Sequence, residues 1–287
     1  MLCSLAAPAP CGAGNVARMI DWRVRPAGSL GGAVALVAVC AAILAPGARA
    51  EVVGLDFGGA TAGTKIVGSD QHLPPLAVTG PYIVSPAIGA DIVRFRDSGG
   101  YAADIEDTVS LARRHLDRWL DRRCGRKAGR ARVARCRAMA VFDMDDTLES
   151  WYDYYASPAV NWVADQAAEE KVMEACGNPA IAPTVALLRY ARSRGVAVAV
   201  ITGRRDTQVT FTATCLDRLG AGGYRALVTR DPANYQTTAA TFKAQARRKL
   251  ERQGWRVAIS VGDQVSDMSG GYADAGFLLP NPMYFIP

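Results

Sequence analysis

The apolar positions of this chain fall into two kinds of pattern. Residues 139–142, 196–201 and 256–261 are short, nearly unbroken apolar runs bounded by polar and glycine-bearing segments. Runs of that length predict strands buried on both faces, as in a parallel sheet. Shorter runs at 226–228 and 276–279 predict a further strand and a last edge strand, the latter stopped by Pro280. Elsewhere the period lengthens. Ile105, Val109, Ala112, Leu116 and Leu120 recur at helical spacing, which predicts a helix over 101–123. Helices are also expected over 158–175, over 184–193 behind Pro183, over 207–219 with Asp206 as N-cap, and from Phe242 onward. Residues 51–100 hold no sustained period and are rich in Gly, Pro and Ala with short Val/Ile runs, which predicts an irregular arm wrapping the core, with short strands as an option. Strands alternating with helices predict an α/β architecture.

The first 50 residues read differently. Arg18, Arg23 and Arg25 precede an uncharged apolar stretch over 30–44, and Ala48-Arg49-Ala50 forms a small-x-small cleavage site before Glu51. This is the pattern of a secretory signal peptide. The stretch is shorter than the ~20 residues that span a bilayer, so no stable membrane anchor is expected, with a retained anchor as the alternative. Cleavage would leave four of the seven cysteines: Cys124, Cys136, Cys176 and Cys215. An even count in an exported chain permits disulfides. Cys124 and Cys136 bracket a basic loop and are the favoured pair, with free buried thiols as the other reading.

Charge adds little. The formal net charge is +6 over 287 residues, and four Arg against one Asp lie in the first 50. Arg and Lys concentrate over 122–137 and 247–256, which read as a loop and solvated helix faces. Dedicated nucleic-acid binding is not supported. Two histidines, His72 and His115, are too few for a histidine-built metal centre, and His115 reads as a surface residue.

Chemistry concentrates at the strand ends. Residues 139–142 run into Asp143-Met144-Asp145-Asp146-Thr147, and side chains repeating every second residue put Asp143 and Asp145 on one side. Two such carboxylates repel unless a cation or shared proton compensates. That suits a divalent metal and a division of labour between nucleophile and acid/base. A calcium loop wants Gly at its sixth position, where this chain has Leu148. A solvated acidic loop is the bland alternative. The next strand leads into Thr202-Gly203-Arg204, and the third into Gly262-Asp263 with Asp267 beyond. Ligands in open α/β sheets bind outside such carboxyl ends.

With Asp143 to Thr147, Thr202, Lys243 and the Gly262 to Asp267 segment in this order, the chain resembles the haloacid dehalogenase (HAD) superfamily of phosphohydrolases. Phe242-Lys243 with Arg247, Gly254-Trp255-Arg256-Val257, Gly262-Asp263-Gln264 with Ser266-Asp267, and Leu279-Pro280-Asn281-Pro282-Met283-Tyr284 narrow the likeness to its secreted acid phosphatases. That group includes plant acid phosphatases with vegetative storage proteins and bacterial surface nucleotidases. The likeness spans residues 101–287. It implies a Rossmann-like core, a mainly parallel sheet flanked by helices, and a short helical cap at about 150–180.

The resemblance also implies roles. Asp143 would attack phosphorus and carry an aspartyl-phosphate, while Asp145 serves as acid and then base. Thr202, Gly203 and Lys243 would hold the phosphate, with Lys249 as a nearby alternative to Lys243 and Arg204 as a further contact. Mg²⁺ would be bound by Asp143, Asp263 and the backbone carbonyl of Asp145. Asp267 would orient that site or pair with Lys243; otherwise it is an acid at a helix start. Asp146 and Glu149 read as structural. Small-molecule phosphomonoesters are the implied substrates. Trp151, Tyr152 and Tyr155 either stack on an aromatic leaving group, as in a 5′-nucleotidase, or pack the cap. A non-catalytic storage role is the reading from another class, and the presence of Asp143 argues against it.

Overall fold

The apolar runs pair side by side. The computed structural model describes residues 65–69, 82–83 and 86–286. Its strands are β1 (Lys65–Gly68), β2 (Tyr82–Ile83), β3 (Ala138–Phe142), β4 (Ala197–Arg205), β5 (Ala226–Arg230), β6 (Arg256–Gly262), β7 (Ala275–Leu278) and β8 (Tyr284–Phe285). Six of them form one sheet in the order β1-β7-β6-β3-β4-β5, and every pairing in it is parallel. β2 and β8 form a separate antiparallel pair. The strand expected at an edge, β7, is interior. Residues 65–68 pair outside it, and a four-residue strand inside a Gly-rich stretch leaves too little pattern to be read from sequence.

The helices are α1 (Pro86–Asp97), α2 (Gly100–Cys124), α3 (Arg130–Arg135), α4 (Tyr152–Tyr155), α5 (Gln166–Ala175), α6 (Ala182–Ser193), α7 (Val209–Arg218) and α8 (Ala239–Arg252). All five residues of β3 are buried, and they alternate between two cores. Ala138, Ala140 and Phe142 meet Leu116 and Leu120 of α2 and Leu187 and Leu188 of α6. Met139 and Val141 meet Phe242, Ala246 and Leu250 of α8. Burying each Leu or Phe contributes roughly 1.5–3 kcal/mol, so β3 is held from both faces.

Several expected elements are corrected. The arm over 51–100 contains the helix α1, whose Ile92 is buried against Trp151, Tyr155 and Trp162. Gly89 lets α1 approach, since a Cβ there would meet the Trp162 ring at 2.3 Å. The helix expected over 158–175 begins only at Gln166. Asn161 and Trp162 take φ of 46° and 61°, which breaks any helix before them. Asp165 then caps α5 by accepting the N–H of Ala167 at 2.9 Å and of Ala168 at 3.2 Å. Asp206 does not cap α7. A 3₁₀ turn, Asp206–Gln208, intervenes, and the Asp206 carboxylate accepts from the Thr207 N–H and the Tyr235 hydroxyl.

Cys124 is bonded to Cys136, as favoured, and Cys176 to Cys215, tying the end of α5 to α7. No helix among the described residues is long and apolar enough to cross a membrane. The leader and its cleavage site lie outside the described residues.

Candidate active site

From β3 the chain moves outward through β4 to β5, then returns to β6 on the other side of β3. Such a reversal opens a crevice at the carboxyl ends of the strands. Here it is a cavity of about 480 Å³, with Asp143, Asp145, Gly203, Lys243 and Asp263 among its lining.

Asp143 follows β3 directly, pinned by its N–H donating to the Val261 carbonyl at 2.9 Å. One oxygen each of Asp143, Asp263 and Asp267 lies within 4.8 Å of the others, and all three residues are buried. Lys243 of α8 reaches the same point. Its Nζ donates to Asp143 Oδ1 at 2.9 Å and to Asp267 Oδ1, while Lys249 is exposed farther along α8. Burial opposes the charge on Lys243, yet the two carboxylates outweigh it and raise its pKa. One ammonium against three carboxylates leaves the cluster negative. Burial, and the other carboxylates against Lys243, accordingly push Asp143 well above the usual range. Burial and Asp267 push Asp263 up to about 6. Excess negative charge on hard, buried oxygens is the donor chemistry a divalent cation fits.

Asp263 is held by three donors: Thr147 Oγ1 at 3.2 Å, Gln264 Nε2 at 2.7 Å and Asn281 Nδ2 at 2.7 Å. Asp267 sits in the 3₁₀ turn Val265–Asp267, where its other oxygen accepts from the Gln264 N–H at 2.9 Å. Gly262 is required by this turn, because a Cβ there would lie 2.1 Å from the Asp267 carboxylate.

Asp145 faces elsewhere. Arg204 grips it with Nε at 3.1 Å and Nη2 at 2.7 Å, and the Trp151 indole N–H donates to it at 2.7 Å. Burial raises its pKa, but these donors outweigh burial and hold Asp145 below the ordinary carboxylate range. Its carboxylate is thus outside the three-acid cluster, leaving its backbone carbonyl as the atom the resemblance assigns to a metal. Arg204 also pairs with buried Glu149. A single guanidinium cannot fully compensate two carboxylates, and burial with the Asp145 charge lifts Glu149 to about 7.

Thr202 is fully buried, and its hydroxyl accepts from the Arg204 N–H at 3.3 Å. Gly203 opens on the cavity, with nothing within 4 Å of an added Cβ. Trp151 and Tyr155 line the cavity, but Tyr152 does not; it lies under Arg96, 3.9 Å from its ring centroid, and against Trp162. Asp146 is buried at φ 48°, its carboxylate accepting from the Trp151 N–H at 2.9 Å.

Sequence reasoning placed Arg247 on a solvated helix face. It is fully buried, donating to the carbonyls of Gly271 at 2.9 Å, Asp267 and Ser269, and so it anchors the loop that presents Asp267. The Asn281 contact to Asp263 was also unread, although the tail around it carried part of the resemblance.

Residues 91–287 match the family described as HAD superfamily, subfamily IIIB (acid phosphatase). The chain belongs to that family. Acid phosphatases are phosphomonoester hydrolases, and HAD phosphatases generally use a divalent metal. Acid phosphatase 1 of Solanum lycopersicum is 28% identical over 207 residues, covering 71% of this chain and 72% of the tomato protein. Vegetative storage protein 1 of Arabidopsis thaliana is 26% identical over 156 residues, covering 51% of this chain and 55% of that one. The class C acid phosphatase from Bacillus anthracis shares the fold, with a TM-score of 0.53 at 17% identity over 69% of this chain and 86% of that chain. In this phosphatase, the all-parallel sheet positions the acid cluster at the reversal beside β3.

Proposed function

We propose that this chain is an exported, Mg²⁺-dependent phosphomonoesterase working through an aspartyl-phosphate on Asp143. The observation that carries this reading is Asp143 at the cavity floor, 2.9 Å from a buried Lys243, with Asp145 beside it under separate control. A carboxylate attacks a phosphate dianion poorly because like charges repel, and Lys243 reduces that repulsion. Thr202 and Gly203 supply a hydroxyl and a backbone N–H for the phosphate oxygens. An ion held by Asp143, Asp263, Asp267 and the Asp145 carbonyl would neutralise further charge on those oxygens.

In the first step an Asp143 oxygen bonds to phosphorus as the ester P–O bond breaks, and Asp145 delivers a proton to the departing oxygen. In the second, Asp145 takes a proton from water as that water attacks phosphorus, releasing phosphate and restoring Asp143. Arg204 favours ionised Asp145, the form needed for the second step; the first needs Asp145 protonated, which lower pH favours, and Asp143 ionised, which Lys243 favours. Trp151, with its N–H on Asp145, acts as a positioning residue as well as a cavity wall.

Phosphate release from phenyl phosphate and glycerol phosphate, with and without Mg²⁺, tests the reading. Activity should vanish in excess chelator and return with Mg²⁺. Asp263→Ala should raise the Mg²⁺ needed for half-maximal activity by about 10–100-fold. Full activity in metal-free buffer would remove the metal from the scheme.

Arg204→Lys tests the control of Asp145. Losing the bidentate grip raises the Asp145 pKa toward its ordinary value, so Asp145 keeps its proton to higher pH. The descending limb of kcat/KM for glycerol phosphate should therefore move to higher pH. Superimposable profiles would count against Asp145 as the acid.

Export rests on the leader pattern and is supported by the two disulfides, which persist in oxidising compartments. N-terminal sequencing of exported protein should begin at Glu51.

A further inference from the structure

The cations of the cavity differ in how they are compensated. Lys243 lies against Asp143 and Asp267, and Arg204 against Asp145 and Glu149. Arg205 and Arg230 also line the cavity, at the ends of β4 and β5, where they are register partners. Among the described residues neither makes an ion pair. Arg230 is half-buried and satisfies Nη1 only with the carbonyls of Asn234 at 3.2 Å and Thr237 at 2.7 Å. Burial lowers its pKa, in keeping with the missing counter-ion.

The nearest acids are committed elsewhere. Asp206 accepts from Thr207 and Tyr235, and Asp231 caps its own turn through Asn234 at 3.1 Å and 2.6 Å. Across the cavity, Glu169 accepts from the Tyr155 hydroxyl and Glu170 from Gln208, both at 3.1 Å. The Tyr235 ring, also in the cavity wall, lies against Arg205 and the Phe242 ring against Arg230, with centroids 5.3 Å and 5.2 Å away. Two neighbouring guanidinium forks that no carboxylate pairs with form a receptor for a planar or tetrahedral oxyanion.

We propose that Arg205 and Arg230 form a second anion subsite, so that the preferred substrates are phosphomonoesters carrying a second phosphate on the leaving group. The proposal rests on the phosphatase reading above and deepens it to a substrate class. The phosphate that is cleaved sits on Asp143 and Lys243, and the one that is kept sits on the arginine pair.

The test compares glucose 1,6-bisphosphate with glucose 6-phosphate, and adenosine 3′,5′-bisphosphate with adenosine 5′-monophosphate. 3-Phosphoglycerate against glycerol phosphate shows whether a carboxylate substitutes. In at least one phosphate pair, kcat/KM should favour the bisphosphate by about tenfold, the scale of a charge-assisted contact. Arg230→Gln and the more exposed Arg205→Gln should each bring that ratio toward one, with circular dichroism checking the fold.

Calorimetric affinities on the Asp143→Asn chain should show the same preference without turnover. No phosphate release by the unaltered chain from any of these compounds, with the affinity ratio retained, would count against the phosphatase reading alone. Equal kcat/KM and equal affinity in every pair would overturn the subsite, as would a preference unchanged in both Arg variants. A preference for the carboxylate only would also overturn it.

Discussion

Asp143→Asn is expected to cut phosphate release by about a thousandfold or more, the scale seen when a nucleophile is removed, without unfolding the chain. Asn keeps the shape of the side chain and loses the attacking oxyanion. The buried surroundings make the stability outcome definite in sign. Burial and the neighbouring carboxylates hold the Asp143 pKa above its unfolded value. The folded state therefore binds the proton more tightly, and the ionised form opposes folding as pH rises above the unfolded value. Removing that charge relieves the crowding among Asp143, Asp263 and Asp267, and Lys243 keeps its pairing with Asp267. In metal-free buffer the melting temperature at neutral pH should be unchanged or higher. Residual activity above about 1%, with deamidation excluded, would sink the covalent role, since loss of a nucleophile leaves far less.

Arg247→Met should produce the largest loss of stability, about 3–5 kcal/mol, the cost of stripping a buried charged group from its partners. At roughly 2–4 °C per kcal/mol for a domain of this size, the melting temperature should fall by about 10 °C. Met approximates the volume, so the loss comes chiefly from the carbonyls of Asp267, Ser269 and Gly271 left without a donor. Burial lowers Arg247 to about 10, which keeps it charged at neutral pH. Because the same loop presents Asp267 to Lys243, activity should fall even at temperatures where the variant is folded. Arg247→Lys should recover little, as a point charge cannot meet three carbonyls in a fixed plane. A variant melting with the parent protein would show that water replaces the guanidinium in that loop.

Sequence legibility followed burial. β3, β4 and β6 were readable because a parallel strand covered on both faces must be apolar at every position. Asp143, Asp145, Thr202 and Asp263 were readable as candidates because each sits where such a run stops. α1 was hidden: it buries Ile92 against cap aromatics distant in sequence, and its Gly89 reads as a loop residue until the Trp162 ring above it is known. For Trp151 the sequence leaves stacking on a leaving group and packing of the cap both open, and its indole N–H on Asp145 depends on a rotation no spacing reveals.

By itself the sequence determined the alternation of strand and helix, the acids and cations at the strand ends, and the family, since all of these are local patterns in fixed order. Tertiary structure alone decided the partners. β1 makes β7 an interior strand, Lys243 rather than Lys249 meets Asp143, Arg247 turns inward, and Arg204 is divided between Asp145 and Glu149. The physical reason is that a polar side chain's state depends on which groups lie around it. Packing brings those groups from segments far apart in the chain, where no local period records them.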